Sequence, residues 1–291
     1  MHKDFKLTLP GMIFLGMHIA CLAALWVGVD WQAIVMCLGF FLIRKFGITG
    51  AYHRYFSHRS YKTGRGFQFV LAWLGGMSAQ KGALWWAAHH RHHHKHSDTD
   101  EDLHSAEKEG FYWSHVGWIL SEEYEFYDEK SVGDLTKYPE LIFLSKHHYI
   151  PPVFLAVLCY LLHGWMGVVW GFVISTVILY HTTFAINSLA HMFGRRRYET
   201  GESSKNSLWL AVITLGEGWH NNHHHYPLSA RQGFFWWEFD PTYYTLIALS
   251  WFGLVWDIKA PPAKMLREEA MTAKNKPTPA ETPSRAVPAA V

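Results

Sequence analysis

The chain is poor in cysteine, in net charge and in runs of one sign. Its three cysteines, Cys21, Cys37 and Cys159, lie in apolar stretches with no CxxC pairing. That is the pattern of buried reduced thiols, not of a disulfide framework or of thiolate metal ligands. Formal net charge is only +2 and the basic residues are dispersed, which removes nucleic acid from the candidate partners. Acidic residues are missing from the long apolar runs, apart from Asp30 at a turn; a transport pathway of intramembrane carboxylates therefore has no material to be built from. A cleavable leader is not expected either, because the segment before Gly11 is short, the apolar run continues, and no small-residue cleavage site follows.

What is present is hydrophobicity in long blocks. Apolar residues make up 49% of the chain, yet mean hydropathy is −0.04, so strongly apolar and strongly polar stretches coexist. A spanning helix needs about 20 mostly apolar residues. The sequence predicts spans at about 11–29, 31–49, 149–163 and 165–187, paired as two hairpins with turns at Asp30 and His163-Gly164. Arg44 and Lys45 are the only basic residues between Gly11 and Gly47, and none occurs between Tyr149 and Asn187. The excess of Lys and Arg on cytoplasmic segments then turns both hairpin ends away from the cytoplasm. The N-terminus with Lys3 and Lys6, residues about 50–148, and everything after about 188 are expected on the cytoplasmic side.

Two weaker apolar intervals are read as interfacial or buried helices: Phe67 to Ala88, interrupted by Gly75-Gly76, Gln80 and Lys81, and Tyr243 to Trp256, dense in aromatic residues. Residues 259–291 shift to Pro, Ala, Lys, Glu and Thr and are expected to form a disordered tail. The expected fold is an all-α integral membrane protein whose domain covers residues 1–258, with two transmembrane hairpins under a cytoplasmic helical cap.

Histidine stands out, with 21 residues crowded into short windows. In GAYHRYFSHRSYK, His53 and His58 follow the second span. Five residues apart, they share no helical face unless the helix bends or ends between them. In WWAAHHRHHHKHSDTDEDLHS, the set His90, His93 and His94 lies at i, i+3, i+4, and so does the set His89, His92 and His93. In GEGWHNNHHHYP the same spacing recurs at His220, His223 and His224. Neutral imidazole is a good ligand for iron, copper or zinc. The pair and two triplets exceed what one ion takes, so a two-metal centre is implied. A further element, NSLAH, sets Asn187 and His191 one helical turn apart at the end of the fourth span. His18, His163 and His181 are scattered in the apolar blocks and read as single hydrogen-bonding groups.

The set HRYFSH, HRHHH, NSLAH and HNNHH resembles the membrane fatty acyl desaturases of the delta-9, stearoyl-CoA desaturase-like type, over about Gly11 to Ile258. The resemblance implies a fatty acyl desaturase with two iron ions. One is held by His53, His58, His90, His94 and His223, the other by His93, His191, His220 and His224, with Asn187 reaching the second through a water. Zinc in a purified protein is compatible with the same imidazoles. His89, His92, His96 and His225 are then bystanders or outer groups. Asp98, Asp100, Asp102 and Glu217 are candidates to orient the ligands by hydrogen bonds. Trp73, Gly76, Trp86 and Phe184 are candidate walls of a kinked apolar tunnel.

The implied partners are dioxygen and a separate electron donor, such as ferredoxin or cytochrome b5 with its reductase, since no fused cytochrome b5 module is expected in this chain. Where animal relatives carry an Arg-Asp pair that engages CoA, this chain has Ala88 and His89. Where they carry Arg-Lys after the segment His115 to Trp118, it has Glu122 and Glu123. Carboxylates repel CoA phosphates, so the acyl carrier is left open among CoA, a carrier protein and a membrane lipid. The rival readings are a di-iron hydroxylase with the same centre and a metal-binding transporter or sensor.

Overall fold

The computed structural model describes residues 8–266. Lys3, Lys6 and residues 267–291 of the expected tail lie outside the described residues. The chain divides into a main unit ending at Ala260 and a second beginning at Pro261. The described part of the second is one helical turn, in which Met265 N donates to Pro262 O.

Helix α1, Leu9–Val27, starts where the Thr8 hydroxyl accepts from Gly11 N and Pro10 fixes the first turn, and stops at Gly28, whose φ of 72° ends the helix. Helix α2, Trp31–Ser57, starts on the Asp30 carboxylate, which accepts from Ala33 N at 2.8 Å. After α3 (Arg65–Gly76), α4 (Ala83–His96), α5 (Ala106–Tyr112) and α6 (Pro139–Lys146) comes α7, Ile150–Met192. The helices α8 (Leu208–Ile213), α9 (His220–His225) and α10 (Pro241–Trp251) complete the main unit.

The structure is mostly helical, and α1, α2 and α7 are long and apolar enough to cross a membrane. The α7 stretch has 43 residues, about 65 Å of helix, twice the roughly 30 Å of a hydrocarbon core. Its direction breaks at His163 and Gly164, where Gly164 takes φ 56° and ψ −147°. The arms on either side meet closely: a Cβ on Gly167 would sit 2.2 Å from Cys159 O. Side chains such as Leu25 and Trp26 on α1 are exposed at 81% and 83%, a surface suited to lipid rather than water.

Several expectations need correction. The interval 67–88 is two helices, not one, because residues 77–82 turn through left-handed backbone at Ala79 and Lys81. The interval 243–256 ends in a turn and a short strand, β2 (Val255–Trp256), which pairs antiparallel with β1 (Lys62–Thr63); the main unit is therefore not purely helical. Arg44 and Lys45 are buried rather than presented at a membrane surface. Arg44 donates to Ser175 Oγ, Thr176 Oγ1 and the carbonyls of Phe40 and Met77, which ties α2 to the second arm of α7. The scattered histidines are not isolated from one another either. His18 Nε2 lies 2.9 Å from His181 Nε2, whose Nδ1 lies 3.0 Å from His115 Nε2, and His163 Nε2 meets the Asp30 carboxylate at 2.9 Å.

A core of Tyr52, Phe56, Leu71, Leu84, Leu141 and Leu246 packs the end of α2 against α3, α4, α6 and α10. The histidine windows sit beside this core.

Candidate metal centre

The last eleven residues of α2, Gly47–Ser57, wind as a π-helix. The hydrogen-bond step is then five residues, and His58 N donates to His53 O at 3.3 Å. The chain therefore neither ends nor bends between His53 and Ser57 to bring the pair together. The wider helix does so, and the two rings lie 5.0 Å apart. On α4, His90, His93 and His94 share the inward face, whereas His89 turns away and its Nδ1 donates to Trp85 O. Helix α9 presents His220, His223 and His224, and His191 comes from the end of α7.

These side chains form two groups. His53, His58, His90, His94 and His223 bring ring nitrogens within 4.8 Å of one another, and so do His93, His191, His220 and His224. In the first group the Nε2 atoms form a chain: His58 to His90 2.8 Å, His90 to His94 3.1 Å, His94 to His223 2.8 Å, His223 to His53 2.9 Å. In the second, His191 and His220 Nε2 are 3.1 Å apart.

Hydrogen bonding does not account for this packing. A ring nitrogen carries either one proton or one lone pair, yet Nε2 of His90, His94 and His223 each face two others. A cation at the centre does account for it. Nitrogens about 2.0–2.1 Å from an ion and at right angles to one another are about 3 Å apart. In the second group, Nε2 of His224 is buried without a hydrogen-bond partner among the described residues, as a lone pair reserved for a cation would be. The donor sets thus fit metal ions. Burial, and then the neighbouring imidazoles, push His58, His90, His94, His220, His223 and His224 well below the ordinary value of 6.5. They are neutral at physiological pH, the form that ligates.

Carboxylates face the opposite ring nitrogens. Glu217 contacts His53 Nδ1 closely and accepts from Arg54 at 2.9 Å. Burial opposes its ionisation, but His53 and Arg54 outweigh it and hold its pKa down at about 2. Asp102 Oδ1 lies 2.9 Å from His93 Nδ1. Asp98 lies 3.8 Å from His191 Nδ1 and accepts from Ser105 and Ser203. Asp100 does none of this and pairs with Lys108 at the surface.

Sequence reasoning missed Glu202, whose oxygens lie 3.7 Å from Nδ1 of both His191 and His224. It also missed Arg54, which is fully buried between Glu217 and Asp240. The only local signal for Glu202 is an acid followed by the serine pair Ser203-Ser204, whose hydroxyls and amides meet it or Asp98. Of the remaining histidines, His92 and His96 turn to Glu101 and His225 stacks on Tyr198.

A cavity of ≈ 250 Å³ adjoins the groups. His90 and Asn187 lie on its wall with Trp86 and Phe184, and it reaches Pro10 and Ile13 of α1 and Pro152 of α7. Of the candidate tunnel residues, Trp86 and Phe184 line it. Trp73 instead packs on Phe154, and Gly76 lies where a Cβ would meet the Pro151 ring at 2.9 Å.

Residues 29–254 match the family described as fatty acid desaturase. The chain is 39% identical over 251 residues to an sn-1 stearoyl-lipid 9-desaturase of Anabaena variabilis, covering 85% of this chain and 92% of that protein. It is 35% identical over 264 residues to a chloroplastic palmitoyl-monogalactosyldiacylglycerol delta-7 desaturase of Arabidopsis thaliana, covering 89% of this chain and 71% of that one. It is also 36% identical over 250 residues to an acyl-CoA 5-desaturase of Anemone leveillei, covering 84% and 77%.

Proposed function

The chain belongs to the fatty acid desaturase family, and from that premise we propose that it inserts a cis double bond at the delta-9 position of a saturated acyl chain, using two iron ions. The observation that carries this reading is the pair of imidazole groups beside a cavity walled by aromatic residues. One ion is assigned to His53, His58, His90, His94 and His223. The other is assigned to His93, His191, His220 and His224, with Asn187 reaching it through a water. When bound, the irons supply the dioxygen chemistry that breaks unactivated C–H bonds.

The chain's own residues bind, orient and exclude. Asp102 and Glu217 accept from Nδ1 of His93 and His53, which fixes the tautomer and aims each Nε2 lone pair inward. Trp86 stacks on His90 with centroids 4.9 Å apart, so the same indole that walls the cavity sets the tilt of a ligand. An acyl chain lying along Trp86 and Phe184 has its methylenes held next to His90 and Asn187, and this positioning selects which carbons react. No protein nucleophile or base is needed. Dioxygen takes two electrons from the acyl chain and two from a donor, with two protons from solvent, and leaves as two waters.

The same reading assigns four spans, with α7 crossing twice, and a cytoplasmic cap, over a domain of residues 1–258. The acyl carrier is a lipid, a carrier protein or CoA, and the donor is a ferredoxin or a cytochrome b5 with its reductase.

The test is gas chromatography with mass spectrometry of fatty acids from a desaturase-deficient host expressing the chain beside its His93→Ala variant. The expected result is new delta-9 monounsaturated acids that fall at least a hundredfold in the variant. Hydroxylated acids in their place would reassign the chemistry.

A further inference from the structure

Trp236 and Trp237 project from the main unit at 81% and 56% exposure. They begin a short series of contacts that leads inward. Trp236 lies 5.7 Å from Trp237, and Trp237 stacks on Phe235 at 4.8 Å. The Arg197 guanidinium sits 4.8 Å from the Phe235 ring and donates to Asn222 Oδ1 at 3.1 Å. Asn222 precedes His223 of the first histidine group. Buried Glu238 braces this route, because it pairs with Arg197 and accepts from Asn222 Nδ2 at 3.0 Å. The segment that supplies Arg197 also exposes Arg195 and Arg196. Arg196 meets exposed Glu199 at 3.6 Å, a surface pair too weak to cancel the patch.

We propose that this patch is the docking surface of the electron donor, a small acidic redox protein, and that electrons pass inward by Trp237, Phe235, Arg197 and Asn222 to His223. The proposal rests on the desaturase reading above. Each donor is oxidised by one electron per visit. Two visits supply the two electrons that, with two from the broken C–H bonds and two solvent protons, reduce dioxygen to two waters. Tryptophan and arginine are enriched among the few residues that carry most of an interface's binding energy, and arginines facing acidic groups accelerate encounter. The continuous route to a metal-ligand candidate favours a redox protein over a lipid surface, which would have no use for it.

The test uses the full, metal-loaded chain in lipid nanodiscs. Binding of oxidised [2Fe–2S] ferredoxin and oxidised cytochrome b5 is measured at low and high salt. The Arg195→Glu, Arg196→Glu double variant is expected to weaken the bound donor at least tenfold and to flatten its salt dependence. Trp236→Ala is expected to weaken it similarly. Turnover driven by dithionite should be unchanged in these variants, showing that they fold and keep the centre. Trp237→Leu should slow electron transfer even at saturating donor, where any loss of affinity no longer limits the rate.

Unchanged donor affinity and salt dependence after charge reversal would overturn the proposal. So would loss of brominated-lipid quenching on Trp236→Phe, which would assign the patch to the bilayer. If the wild-type chain makes no double bond even with dithionite, the desaturase reading fails, and the binding measurements still judge the patch by themselves.

Discussion

Glu217 is fully surrounded by groups that need its charge. It accepts from Arg54 at 2.9 and 3.2 Å and from Gln232 at 3.2 Å, and it holds the outer nitrogen of His53. Neutralising it as Glu217→Gln keeps the volume but weakens the orientation of His53. Carboxylates in this position typically contribute about 10–100-fold to metal affinity. A chelator competition should therefore show a loss of that size for one of the two ions, whereas Asp100→Asn, at an exposed carboxylate, should show none.

The pH dependence follows from the same residues. Glu217 is depressed to about 2 from 4.5, so its stabilisation is complete above 4.5 and is lost as pH falls toward 2. The buried imidazoles are also depressed, so the unfolded chain binds more protons than the folded one below 6.5. For His220 and His223, 2% and 1% exposed, each adds a slope of up to about 1.4 kcal/mol per pH unit. The thermal midpoint of metal-free protein in detergent should fall steadily from pH 7 to pH 5. A flat profile over that range would contradict the neutral, buried state.

The windows of histidine announced the chemistry, but not which imidazoles converge. His89 and His90 are adjacent and chemically identical, and only contacts with α2 and α9 distinguish them. Glu202 left no more than the faint mark of an acid before two serines, because its imidazole partners lie at distances in sequence that carry no local pattern.

At the scale of the element, the π-wound end of α2 is what turns a five-residue spacing into one metal-facing side. Every residue of it is buried. A Cβ on Gly47 would sit 2.6 Å from the Leu74 carbonyl carbon of α3, and backbone cannot swing aside as a side-chain tip can. Overpacking of this kind costs about 1–3 kcal/mol, and here it also separates α2 from the helix that backs His53 and His58. Gly164 makes the contrast. Its φ of 56° and ψ of −147° lie where glycine is almost the only residue found, which costs another residue about 1–3 kcal/mol. Nothing lies within 4 Å of a Cβ there, however, so Gly164→Ala strains its own backbone without displacing a neighbour. Both variants are expected to lower the thermal midpoint, but only Gly47→Ala to reduce metal content; Gly164→Ala should keep its metal. Apolar length and Gly-rich breaks made the long helices legible in sequence. A π-helix left no such mark, since the residues of Gly47–Ser57 suit an ordinary α-helix equally well and tertiary contacts decide between the two.

For the whole molecule, the geometry narrows the question of sidedness to one choice. The Asp30 carboxylate and His163 Nε2 meet at 2.9 Å, so the turn after α1 and the break in α7 lie together, whichever face of a membrane they occupy. The expectation that put them outside leaned on Arg44 and Lys45, and these are sequestered between helices, where they no longer act as a surface signal. The cap carries the remaining charge signal. Arg59, Lys62, Arg65, Lys130, Lys137 and Lys146 all lie between α2 and α7, and neither turn carries a Lys or Arg. These residues lie within about 20 positions of a span end, where basic residues favour the cytoplasmic side, and that is the orientation we propose.

Single cysteines introduced at Val29 and at Lys130, in a background where Cys21, Cys37 and Cys159 are replaced by alanine, test the assignment in intact cells. A membrane-impermeant maleimide should label the first and spare the second until the membrane is opened. The reverse pattern would move the histidine groups to the outer face and with them the donor, which would then have to be an extracytoplasmic redox protein. Labelling of both sites in sealed cells would mean that α2 does not cross, because α2 is the one long apolar helix between Val29 and Lys130.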